Sequence, residues 1–190
     1  MDPEAFERRI YQELVELREK HEWHFRMRGK ANKDSSGANI LLGSLNGWIG
    51  TSFWKIDHSM QGAENDTIGL FFRQFENGFQ FAIDGRQLRT EDCRSQQDIA
   101  ALRLVERVEV YPFEKFGMRE VDRSKNVNYT VSYESEVFAD VDVLMSNVEQ
   151  FLSEFISSVN EVIAKLGKRF PEFNARKLTT RDTEIFERRL

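Results

Sequence analysis

One cysteine, three prolines and three histidines in 190 residues leave little room for several kinds of protein. The lone Cys93 cannot close an internal disulfide, and it stands in RTEDCRSQ, apart in sequence from every histidine. A buried or incidental thiol is the expected reading, rather than a nucleophile. His21, His24 and His58 belong to no HExxH, CxxC or EF-hand pattern, so neither a metal site nor a cofactor is expected. A phosphate cradle is missing too: Gly43, Gly47 and Gly50 are interspersed with large residues, and no GxxxxGK occurs. No apolar run approaches the roughly 20 residues of a membrane span. The opening MDPEAFERRIYQEL mixes charged with apolar residues, unlike a signal peptide, so the expectation is a cytoplasmic protein with no membrane partner. Nor is there an excess of positive charge. The formal net charge is −5, which argues against nonspecific attraction to nucleic acid but leaves room for a local basic site.

What the sequence does have is aromatic: 16 phenylalanines, and 40% hydrophobic residues in all, enough for one sizeable core. Trp48, Phe53, Trp54, Phe71, Phe72, Phe75, Phe79 and Phe81 crowd between Leu41 and Gly85. Asp2 and Pro3 are placed to start a helix whose inner side is Phe6, Ile10, Leu14 and Leu17. Trp23, Phe25 and Met27 alternate with polar residues, which predicts a strand on which His21 and His24 face oppositely. Further strands are expected around an Asn46-Gly47 turn, in the hairpin TIGLFFRQF/GFQFAID with its bend at Glu76, Asn77 and Gly78, and at VNYTVSY.

Arg94 to Val110 reads as a helix with Ile99, Leu102, Val105 and Val108 inward, closed by Tyr111-Pro112. A longer helix from Val141 to Leu166 carries a wide apolar stripe, with Asp140 as N-cap and Gly167 as its stop. The fold class expected is therefore α+β: a mostly antiparallel sheet of four to six strands packed with long N-terminal, central and C-terminal helices. Residues 1–167 form one domain in this reading, and 168–190 a basic extension or short helix. The charge supports that division, because Lys165 to Leu190 holds eight basic and four acidic residues whereas Glu134 to Ile163 holds seven acids and no Lys or Arg.

Three functional readings stay open. Trp48, beside a glycine turn, is placed to stack on a nucleobase or enter a partner's pocket, while Trp54 is expected to pack within the sheet. Lys55, Arg73, Arg86 and Arg89 would supply phosphate contacts if the fold gathers them. This is a noncatalytic recognition module. The alternative is a protein-interaction or assembly module that self-associates or docks a partner through the helix Val141 to Leu166. The third reading is a metal-dependent nuclease using Asp57, Asp66, Glu76 and Asp84, all near expected strand ends, although no D…ExK pair accompanies them.

The run LLGSLNGWIGTSFWKID, a polar gap, TIGLFFRQFENGFQFAID and a long C-terminal helix together resemble the N-terminal recognition domain of McrB-type modification-dependent restriction proteins. The resemblance spans Leu41 to Leu166. In that family a Gly/Asn/aromatic motif ending in Pro-Trp precedes the hairpin; here Phe53 stands before Trp54. The resemblance implies a DNA-binding domain of a prokaryotic or phage defence system, one that recognises modified DNA, in some members by base flipping. With no Walker motif in this sequence, a GTP-driven motor would belong to another domain or protein.

Overall fold

Two hydrophobic periods, one near 3.6 residues and one of two, divide the chain into helices and strands. The computed structural model describes residues 3–23, 26–28, 48–56, 66–73, 77–84, 90–121, 129–173 and 175–177. Among them are helices α1 (Pro3–His21), α2 (Gln96–Glu109) and α3 (Val141–Arg169). The strands are β1 (Arg26–Arg28), β2 (Trp48–Ile56), β3 (Asp66–Arg73), β4 (Phe79–Asp84), β5 (Arg119–Glu120), β6 (Tyr129–Glu134) and β7 (Ala175–Lys177). The α+β class holds. All seven strands join one sheet in the order β1-β2-β3-β4-β6-β5, with β7 also paired to β2, and every pairing is antiparallel. Four of them, with six to nine residues each, make its body. No helix among the described residues is long and apolar enough to cross a membrane.

The hairpin of β3 and β4 sets the core. Its register pairs Ile68 with Ile83, Leu70 with Phe81 and Phe72 with Phe79, so six large apolar residues line one face. All six are buried. Helix α3 lies over them: the Phe81 ring sits 4.7 Å from that of Phe155, and Phe151 packs 5.9 Å from Phe79 and 6.0 Å from Phe81. Inner residues of α1 (Phe6, Ile10, Leu14, Leu17) and of α2 (Leu104, Val105, Val108) join the same cluster. The bend holds this hairpin against the entry to α3. Phe138 donates its N–H to the Asn77 carbonyl at 2.7 Å, and a side chain at Gly78 would meet the Glu136 carbonyl at 3.3 Å.

Several boundaries differ from the sequence reading. His21 belongs to α1, not to a strand; Glu22 then turns the chain with φ 55°, and regular pairing starts only at Arg26. In α2 the buried side is Ala101, Leu104, Val105 and Val108, whereas Ile99 and Leu102 are half-buried. A capping box missed in the sequence starts this helix: Ser95 Oγ accepts the Asp98 N–H at 3.1 Å, and the fully buried Asp98 carboxylate accepts the N–H groups of Arg94 and Ser95 at 2.8 and 2.9 Å.

Asp140 caps α3 as expected, accepting the Val143 N–H at 2.9 Å. Gly167 does not stop it. The helix runs on to Arg169 and ends at Phe170, immediately before Pro171, which disfavours helical backbone in the residue preceding it. The segment beyond returns to the sheet as β7. The Asn46-Gly47 turn lies outside the described residues.

Candidate nucleic-acid interface

Strand β2 is the long strand richest in sequence contrasts, WIGTSFWKI, and it organises the candidate site. Its β-branched and aromatic residues suit a strand, and Gly50 and Ser52 keep two of its positions small. One edge is paired with β3 along its whole length. On the other edge β1 pairs with Gly50 to Ser52 and β7 with Trp54 to Ile56.

The backbone register decides which predicted positions come together. Trp48 is paired directly with Arg73, and Lys55 with Thr67 on one side and Arg176 on the other. Alternation alone would put Trp48 and Lys55, seven residues apart, on opposite faces. A β-bulge at Phe53 restores the phase, since the register steps from Ser52–Gly69 to Trp54–Ile68. Trp48, Lys55 and Arg73 therefore occupy positions on one face, opposite to that of Ile68, Leu70 and Phe72. The position of Trp54, paired with Ile68, is on the helix-covered face. Arg86 and Arg89 lie outside the described residues.

Other basic positions join this face from strands distant in sequence. Arg26 pairs with Ser52 and Arg28 with Gly50, which puts both in the rows of Gly69 and Phe71. One such row crosses six strands: Arg28, Gly50, Phe71, Gln80, Glu134 and Arg119. At its far end Arg119 and Glu134 neutralise each other through N···O contacts of 2.9 Å. Gln80, Ala82 and Ser132 are buried, with the Gln80 amide donating to Ser132 Oγ. The basic positions are thus gathered at the β1–β2–β7 end. The alternation of HFRMR carries a signal for Arg26 and Arg28 but none for their neighbour, because Arg176 lies in the segment that the sequence reads as an extension.

The remaining candidates disperse. Asp66 pairs with Ile56 and Asp84 with Thr67, so these two carboxylates hold positions on opposite faces; Asp57 and Glu76 lie outside the described residues. Among the described residues no group of three or more His, Cys, Asp or Glu could hold a metal ion. Cys93 is half-buried and packs against the core. His24 and His58 lie outside the described residues.

His21 instead forms a polar clasp between helices. Glu149 of α3 receives Lys20 Nζ at 2.8 Å and His21 Nε2 at 2.5 Å, and the His21 ring stacks on Trp23 with centroids 4.4 Å apart. The hydrogen bond from Lys20, followed by that from His21, holds the Glu149 carboxyl below its ordinary value. Tyr111 shifts the other way. It sits among Phe113, Phe116, Phe151 and Phe155, and burial, with a smaller contribution from Glu154, raises its hydroxyl to about 12.

Comparison with protein-family models, with curated proteins and with solved structures returns no match for this chain.

Proposed function

We propose that this chain is a noncatalytic recognition module that binds DNA through the sheet positions of Trp48, Lys55 and Arg73, in a prokaryotic or phage defence setting. The observation that carries the reading is the register of β2: with its bulge at Phe53, an aromatic position and basic positions from four strands share one face. An aromatic side chain offers a stacking surface to a base of any sequence, and Lys and Arg neutralise phosphates. In a chain of net charge −5 such binding must be local, so a concentrated basic end is what the reading requires. The McrB-type resemblance supplies the defence setting, and Arg86 and Arg89 remain candidate phosphate contacts in it.

The assembly reading loses its motive, because α3 spends most of its apolar stripe inside the chain. Val141, Leu144, Met145, Val148, Phe151, Leu152, Phe155 and Val159 are buried, and Ile156, Val162, Ile163 and Leu166 pack against the same core. The nuclease reading has no converging carboxylates among the described residues to stand on.

The test is fluorescence anisotropy with unmodified duplex, cytosine-methylated duplex and single-stranded DNA over a salt series. Binding to at least one, weakening as salt rises and reduced about tenfold or more by Trp48→Ala, is the expected result. Binding to none of them ends the DNA reading.

A further inference from the structure

We draw no further inference here: the strongest candidate, the sheet face opposite α3, on which Gly69, Gln80, Ala82 and Ser132 are buried, carries none because nothing among the described residues shows what covers it.

Discussion

On one face of the sheet, Ile68, Leu70 and Phe72 of β3 meet Phe79, Phe81 and Ile83 of β4 beneath the rings of α3. On the other, the same β3 strand places Thr67, Gly69, Phe71 and Arg73 beside β2 positions that include Lys55 and Trp48. One alternating backbone thus serves two chemistries. The first face is apolar from Ile68 to Phe72 and from Phe79 to Ile83, with Asp66 only at the start of β3, and its residues are fixed by three helices that share its burial. The second collects basic positions from β1, β2, β3 and β7, segments that lie up to 150 residues apart between Arg26 and Arg176. Stability should be greatest on the first face, although Gly69, Gln80, Ala82 and Ser132 of the second are buried as well, and affinity should be concentrated on the second.

The most damaging way to break that comparison is Phe151→Ala. Phe151 is fully buried and contacts rings from the sheet, from the 113–116 turn and from α3 itself, so truncation leaves a cavity where several elements meet. A loss of about 3–5 kcal/mol in denaturant unfolding is expected. If DNA affinity, measured where the variant is still folded, changed as much as stability, the two faces would not be separable.

Lys55→Glu/Arg73→Glu probes the opposite face. DNA affinity should fall by tenfold or more, about 1.4 kcal/mol, while unfolding stability moves by only about 0.5 kcal/mol. A collapse in stability with no specific effect on affinity would return these residues to a structural role.

Glu149→Gln sharpens the first face at its rim, where α1 is clasped to α3. The folded carboxyl lies below its ordinary value, so its contribution is fully present above the unfolded glutamate's pKa of about 4.3 and is lost as pH falls through the lower folded value. The variant should cost less than about 1 kcal/mol at neutral pH and flatten the acid limb of the stability–pH curve. Superimposable acid limbs would count against the clasp.

Tyr111→Phe should have the smallest effect. In the fold the Tyr111 hydroxyl holds its proton to about 12, whereas the unfolded residue ionises near 10. Its contribution is complete below pH 10 and disappears as pH rises through about 12. Alkaline unfolding should be less steep in the variant, and the 295 nm titration of the wild type should include an ionisation near 12 that the variant lacks. Unchanged alkaline unfolding in the variant would show that the ring cluster is indifferent to this hydroxyl.

Much of the first face was legible because its signals are local. Phe6, Ile10, Leu14 and Leu17 mark the inner side of α1, and the alternation of GFQFAID marks β4 and its buried residues without reference to any other segment. Local signals failed where two answers were compatible with one pattern. The α2 sequence contains more than one apolar stripe, and contact with α3 and β6 selects the side of Ala101 and Leu104. Gly167 is compatible with a helix stop, but nothing crowds its position and the helix continues to the residue before Pro171. Ser95 and Asp98 have capping-box spacing and were readable in principle.

The second face was legible only as residue types. Trp48, Lys55 and Arg73 could be singled out, but a sequence with a two-residue period puts Trp48 and Lys55 on opposite faces unless a bulge intervenes, and nothing in TSFWK announces one. By itself the sequence determined the helices, the β3–β4 hairpin and the aromatic supply of the core, because periodicity and caps act over a few residues. Tertiary structure alone decided that β1 and β7 share an edge of β2 and that Phe53 bulges. Strand pairing is chosen between segments far apart in the chain, by the burial and hydrogen bonds of the whole sheet.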